Sequence, residues 1–236
     1  VNEKSRQMRI NIVTINLNNK EGLERTIQSV TSQTFFEIID YIIIDGGSTD
    51  GSKEVIESVA DKLHYWCSEP DNGRFHAMNK SLEHLTGDYV LFLNSGDHFN
   101  ANNVVQRIYD QLDGTDIVYG NELFCSSHSS WVSTYPATLN EEFFRRSALP
   151  HQSTFIRTEV MKAHPYLEDR VIAGDWTFFR EAIMKYNASY KYVPFIISNF
   201  YTDGISGYAF HIFVKEKNEY YTNLKTNENS TGGDRS

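Results

Sequence analysis

Cysteine is scarce: the chain has two in 236 residues, Cys67 and Cys125, and neither belongs to a CxxC pair. Two such residues make neither a disulfide framework nor a zinc site. Both follow apolar or aromatic neighbours, as small packed hydrophobes do, and this usage fits a reducing cytoplasm. No apolar run approaches the ~18 residues of a membrane span. No signal peptide is recognisable at the start; Val1 to Gln7 are polar and read as a frayed end or an appendage. Positive charge is also short. The net charge is −9 and no Lys/Arg-rich run occurs, whereas a nucleic-acid binder needs a basic surface to displace counterions. No nucleic-acid partner is therefore expected. Three motifs are missing as well. The first strand is followed by Asn-rich sequence instead of the GxGxxG of a dinucleotide site. There is no P-loop. The second acid that an aspartyl-phosphate phosphatase would carry two residues past Asp45 is replaced by Gly47.

What is present is an ordinary globular composition, 40% apolar and 22% charged, in a chain long enough to bury a core without disulfides. Aromatics are abundant, with 14 Tyr and 15 Phe. Most belong to a core or sheet, although sugar C–H faces also stack on such rings. The first half alternates short apolar runs with helical spacing. Strands are expected at Ile10–Ile15, Tyr41–Ile44, His64–Cys67 and Tyr89–Leu93. Helices are expected at Glu21–Ser32, Ser52–Leu63 and from Phe75 to Leu85. Continuous apolar strands between amphipathic helices predict a mostly parallel sheet covered on both faces. Beyond it lie a helix at Asn103–Leu112, a strand at Ile117–Tyr119, a hairpin over residues 121–135, a helix at Gly174–Tyr186 and a terminal helix at Phe210–Leu224. The polar composition after Asn223 predicts a disordered tail.

Ligands of open parallel sheets sit beyond the carboxyl ends of the strands. Three polar clusters fall there: Thr14-Ile15-Asn16-Leu17-Asn18, Asp45-Gly46-Gly47-Ser48-Thr49-Asp50-Gly51 and Asn94-Ser95-Gly96-Asp97. Each alone suits a turn, and Asp50 and Ser52 are read as caps of the next helix. Asp45 and Asp97 are read differently. A carboxylate ending a very apolar strand is costly to desolvate unless a ligand, a donor or a metal engages it.

These segments carry a resemblance. Ile43 to Ser52 resembles the nucleotide-binding strand and turn of inverting family 2 glycosyltransferases of the GT-A fold, above all bacterial enzymes building colanic-acid-like, capsular or lipopolysaccharide chains. Ser68 to Lys80 resembles their donor loop and following helix. Thr86 to Asp97 resembles the strand that ends in the metal signature, and Ala173-Gly174-Asp175-Trp176 the start of the helix bearing the catalytic base. The match spans residues 8–205 and is strongest in the first hundred. It implies an α/β GT-A domain over 8–225, with a nucleotide-sugar-binding half at 8–97, an acceptor-binding half at 98–225, and flexible termini at 1–7 and 226–236.

The resemblance also implies a chemistry: a sugar leaves a nucleotide-diphosphate donor, a UDP-sugar first with GDP- and dTDP-sugars as alternatives, for a saccharide or lipid-linked acceptor. Asp175 is then the general base, with a helix N-cap as its bland alternative. Asp97 is the ligand of Mn²⁺ or Mg²⁺. Asn16, Asp45, Gly47, Asp71, Gly73, Arg74, Asn79, Lys80, Asn94, Ser95 and His151 form the substrate site. Two departures bear on metal affinity. Asn94 stands where the family's signature has its first acid, and a frequent Glu-Asp pair at the base is Gly174-Asp175. His76 has no assigned role, and His211 is either a ligand of the metal or diphosphate or an exposed helix residue. The resemblance implies work at the cytoplasmic face of a membrane, with Glu141-Glu142-Phe143-Phe144-Arg145-Arg146 as a patch that touches headgroups or as a buried Phe pair with solvated arginines. Two other readings are open. A degenerate, non-catalytic nucleotide-sugar-binding module would follow from loss of the metal acid. A sugar nucleotidyltransferase would need a Gly-rich, Arg-bearing loop after the first strand, which is absent.

Overall fold

The computed structural model describes residues 7–126, 128–201 and 210–231. The chain opens with β1 (Ile10–Asn16), α1 (Lys20–Thr31), β2 (Ile39–Asp45), α2 (Ser52–Ser58), β3 (Tyr65–Ser68), α3 (Arg74–Lys80) and β4 (Tyr89–Phe92). Its second half holds β5 (His98–Phe99), α4 (Val104–Tyr109), β6 (Ile117–Cys125), β7 (Ser130–Ser133), α5 (Glu141–Arg146), β8 (Thr154–Arg157), α6 (Thr158–Ala163), α7 (Gly174–Met184), β9 (Tyr190–Tyr201) and α8 (Phe210–Thr231). The described strands join in one sheet of order β3-β2-β1-β4-β8-β6-β9-β5, with β7 on the side of β6. β3, β2, β1 and β4 run parallel. β8 is antiparallel to both β4 and β6, and there the sheet turns from one half to the other.

The apolar runs of β1, β2 and β4 are buried on both faces, as strands between two helical layers must be. One core cluster gathers Val13, Ile42, Ile44, Phe92, Tyr119, Phe144, Phe179 and Trp176 on the side of α3 and α7. The other gathers Ile12, Leu23, Ile27, Tyr41, Ile43, Leu91 and Val105 on the side of α1 and α4.

Several boundaries differ from the sequence reading. The helix expected over Ser52–Leu63 stops at Ser58 and continues as a 3-10 turn over Ala60–Lys62; only Ile56 and Ser52 of α2 are buried, so packing does not hold a longer rod. The third helix likewise tightens to a 3-10 turn over Ser81–His84. Gly51, in the left-handed region at φ 93°, is the cap of α2. Asp50 sits one residue earlier and accepts from Ser52 N at 3.0 Å and Lys20 N at 2.8 Å, tying two helix starts together. The strand expected to end at Tyr119 runs to Cys125. The terminal helix extends through Thr231 where a disordered tail was expected. It is anchored upstream by buried Glu216, Lys217 and Tyr220, and propagation from an anchored segment costs little even through weak helix formers.

Of the two readings of Glu141–Arg146, the buried one holds at Phe144. Phe144 is fully buried and its carbonyl accepts from Trp176 Nε1 at 2.9 Å. Arg145 lies over the Tyr221 ring at 4.2 Å, and Arg146 pairs with Glu142 at 2.8 Å. The aromatic side of α5 therefore faces the core. No described helix is long and apolar enough to cross a membrane.

Candidate active site

Asp45 ends β2 with its side chain fully buried. Its carboxylate accepts from Ser48 N at 2.9 Å, Ser48 Oγ at 2.6 Å, Ser68 Oγ at 2.6 Å and Asn16 Nδ2 at 2.8 Å. Burial pushes this carboxyl upward, and the four bonds more than reverse that, leaving it below the usual carboxylate range. The strand-end acid is thus satisfied by donors of the protein itself. Asp45 braces the turn that carries Gly47, where φ is +81° and any added Cβ would press on Pro70. Gly46 admits Asp71: a Cβ there would stand 2.6 Å from Asp71 Oδ2. Asp71 Oδ1 in turn accepts from Gly73 N at 2.8 Å, just ahead of α3. Asn16, Asp45, Gly47, Asp71 and Gly73 are thereby gathered in one wall. Asn16 Oδ1 is a buried acceptor with no hydrogen-bond partner in that wall.

The turn after β4 forms the floor. Ser95 N bonds to Ile15 O at 3.1 Å, and Asn19 Nδ2 donates to Ser95 O at 3.1 Å. Thr26 Oγ1 donates to Asp97 O at 2.7 Å and accepts from Gly96 N at 3.0 Å. Asp97 is nearly buried, and its Oδ1 accepts from Tyr201 N at 3.3 Å. Asn94 points the other way. Its Nδ2 lies 3.0 Å from His151 Nε2, and its Oδ1 is a second buried acceptor with no partner.

His151 links floor to opposite wall, its Nδ1 lying 2.9 Å from Asp175 Oδ2. With Asn94 donating to Nε2, the imidazole proton resides on Nδ1 and is directed at the carboxylate. Asp175 Oδ1 accepts from Trp176 N at 2.7 Å. Asp175 is the second residue of α7 and Ala173 is its N-cap, so the cap reading of Asp175 does not hold. The capping is done from elsewhere: the Glu216 carboxylate of α8 accepts from Val171 N at 2.7 Å, Ile172 N at 3.1 Å and Ala173 N at 2.7 Å. Three amide groups ahead of α7 are satisfied by one buried anion. Gly174 is needed for close packing, because a Cβ there would lie 2.6 Å from the Phe75 ring of α3. Arg74 is half-buried beside this wall. Burial lowers its pKa while Asp175 and Glu216 act to raise it, so the guanidinium lies in the field of the candidate base.

Two residues of the expected substrate site are engaged elsewhere. Asn79 exchanges hydrogen bonds with Tyr166 backbone at 2.9 and 3.0 Å and donates to Glu168 at 2.9 Å, anchoring the chain ahead of α7. Lys80 pairs with Glu69 at 2.6 Å, on the loop between β3 and α3. His76 Nδ1 accepts from Asn72 N at 3.2 Å and steadies that loop. His211 is exposed on α8. Glu122 escaped the sequence reading. It is buried on β6, accepts from Gln152 Nε2 at 2.6 Å and from the Tyr135 hydroxyl, and is pushed up to about 7 chiefly by burial, against the pull of Tyr135 and His151. Only the Glu within an otherwise mixed strand sequence could have flagged it. Glu216 offered no signal at all.

Among the described residues no three His, Cys, Asp or Glu side chains come together as a metal nest. The Asp97 carboxylate is the acidic oxygen donor of the turn after β4, and such an oxygen suits a hard divalent cation whose shell is completed by ligand oxygens and water.

A mostly parallel half joined through the antiparallel β8 to a second half, with helices packed on the single sheet, is the architecture of a GT-A glycosyltransferase. The chain belongs to glycosyl transferase family 2, whose profile matches residues 11–186. It is 33% identical over 182 residues to an uncharacterized glycosyltransferase of Mycobacterium tuberculosis, covering 74% of this chain and 69% of that one. It is 28% identical over 175 residues to a PGL/p-HBAD biosynthesis glycosyltransferase of Mycobacterium bovis, covering 71% and 66%. Among solved structures it resembles S. aureus TarS 1-349 in complex with UDP-GlcNAc, with TM-score 0.68 and 18% identity, over 82% of this chain and 58% of that one. It also resembles the mannosyltransferase PcManGT of Pyrobaculum calidifontis in complex with GDP-Man and Mn²⁺, with TM-score 0.62 and 14% identity, over 83% of this chain and 57% of that one.

Proposed function

We propose that this family 2 glycosyltransferase moves a sugar, with inversion, from a nucleotide-diphosphate donor to a hydroxyl of a saccharide or lipid-linked acceptor in the assembly of a bacterial surface glycan. The observation that carries the reading is the hydrogen-bonded chain Asn94–His151–Asp175, which joins the floor beside Asp97 to the start of α7. Asp175 is a carboxylate aligned by two donors, His151 Nδ1–H and Trp176 N–H, at the rim of the crevice. In this reading its carboxylate takes the proton of the acceptor hydroxyl. The acceptor oxygen attacks the anomeric carbon from the face opposite the diphosphate, and the departing diphosphate oxygen keeps the electron pair of the broken bond. His151 holds the carboxylate in orientation. In this reading Asn16 and Asn94 offer their buried, unpartnered acceptors to donor hydroxyls, and Arg74 supplies positive charge near the developing anion. Mn²⁺ or Mg²⁺, held by Asp97, would when bound supply Lewis-acid stabilisation of the leaving diphosphate.

A UDP-sugar is the favoured donor, in line with the TarS complex, and the GDP-Man complex of PcManGT keeps GDP-sugars in view. The names of relatives, PGL/p-HBAD biosynthesis and, for a Bacillus subtilis protein 29% identical over 102 residues, putative teichuronic acid biosynthesis, support an envelope glycan as product. The site then works where nucleotide sugars are made, in the cytoplasm, reaching lipid-linked acceptors at the inner membrane face. The test is donor hydrolysis and thermal shift with UDP-, GDP- and dTDP-sugars, each with and without Mn²⁺. Metal-stimulated release of one nucleoside diphosphate is expected. Binding without release from any donor would instead identify a non-catalytic nucleotide-sugar module.

A further inference from the structure

Trp131 is half exposed, 50%, on β7, which leaves one of the largest apolar side chains of the protein open to solvent. It does not stand alone. Its ring stacks on Phe124 of β6 with centroids 5.2 Å apart and planes 8° from parallel, and Phe200 of β9 supports Phe124 edge-on at 5.2 Å. These residues are register partners, Phe124 opposite both Trp131 and Phe200, so the rings form a row across three strands on one face. That face is the one of the candidate site. Glu122, two residues before Phe124 and so on the same side of β6, bonds to Gln152, the neighbour of His151. A rise of ~3.3 Å per residue sets Phe124 ~7 Å farther along the strand than Glu122.

Ser133, two residues on from Trp131 and so on the same face of β7, sets a hydroxyl beside the row. A flat, rigid, supported aromatic face with a hydroxyl neighbour, continuous with a candidate sugar-transfer site, matches the amphipathic C–H face of a pyranose better than a peptide or an apolar tail. We propose that Trp131, backed by Phe124 and Phe200, is an acceptor subsite that stacks a neutral sugar ring beyond the one whose hydroxyl is deprotonated by Asp175. This rests on the glycosyltransferase reading above. It makes the enzyme prefer an acceptor that is already an oligosaccharide.

The test uses the full chain, ¹⁵N-labelled at its three tryptophan indoles, titrated with cellotetraose, chitotetraose, maltotetraose and mannotetraose and, separately, with glucose. At least one tetrasaccharide should shift the Trp131 indole resonance at about 10 mM or below, and glucose should shift it far less. Trp131→Ala should weaken that tetrasaccharide about five- to tenfold, Trp131→Phe should weaken it less, and both should keep wild-type donor hydrolysis. No tetrasaccharide shift, or an affinity unchanged in Trp131→Ala, in a protein that still hydrolyses donor would overturn the subsite and leave the transfer reading standing. A sedimenting dimer that Trp131→Ala dissociates would also overturn it, by assigning the rings to a second copy. Failure of the wild type to release or bind any nucleoside diphosphate would remove the reading on which the subsite rests.

Discussion

Replacing Glu122 with Gln should make stability less dependent on pH, and the size of the effect follows from the burial of the side chain. The carboxyl is 2% exposed and pushed up to about 7 from an ordinary 4.5. Burial is the dominant cause, opposed by Tyr135, His151 and Gln152 and assisted by the negative Asp175. The folded pKa lies above the unfolded one, so the fold prefers the protonated form. Stability from this group is complete below about pH 4.5 and is lost as pH rises through about 7. One pH unit of displacement corresponds to about 1.4 kcal/mol, so the total loss is on the order of 3 kcal/mol. Gln copies the protonated form: one oxygen accepts from Gln152, and the amide can donate to the Tyr135 oxygen. Urea unfolding of both proteins should therefore give a difference that grows by about 3 kcal/mol in favour of Glu122→Gln between about pH 4.5 and pH 8. Comparing the two proteins cancels the other groups that titrate nearby, such as His98, whose pKa is lowered by burial. A difference flat across that range would refute the argument and show that Glu122 is ionised in the fold at neutral pH.

Three further outcomes are expected. Asp175→Asn keeps the shape of the side chain that meets His151 and Trp176 N, so kcat should fall on the order of 10²–10⁴-fold while the melting temperature hardly moves; an active Asn variant would move the base to His151. Asp97→Ala should abolish metal stimulation of transfer, read as rate against Mn²⁺ concentration, and a wild-type rate at limiting Mn²⁺ would count against it. Glu216→Ala leaves the amides of Val171, Ile172 and Ala173 without their acceptor, which should cost about 3 kcal/mol or more by denaturant unfolding and lower kcat through a loosened start of α7; a loss under about 1 kcal/mol would mean that water replaces the carboxylate.

Local patterns carried the first half of this protein. The β-branched runs at Ile10–Asn16 and Ile39–Asp45 are too apolar for anything but a strand buried on both faces, and such strands put Asn16 and Asp45 at carboxyl ends, where open parallel sheets bind ligands, whatever the rest of the chain does. The family resemblance reached Asp175 through its short motif. What neighbours those residues would have was not local information. That Asp45 is saturated by Ser48, Ser68 and Asn16, that His151 spans from Asn94 to Asp175, and that Glu216 caps the start of α7 from the terminal helix all depend on packing between segments far apart in the chain. The same holds for β8, β9 and the Phe124–Trp131 row, whose residues look like ordinary sheet formers until strand register places them side by side. Periodicity decides which face a side chain takes; only the meeting of faces decides whether a buried carboxylate such as Glu122 is left protonated, paired or costly.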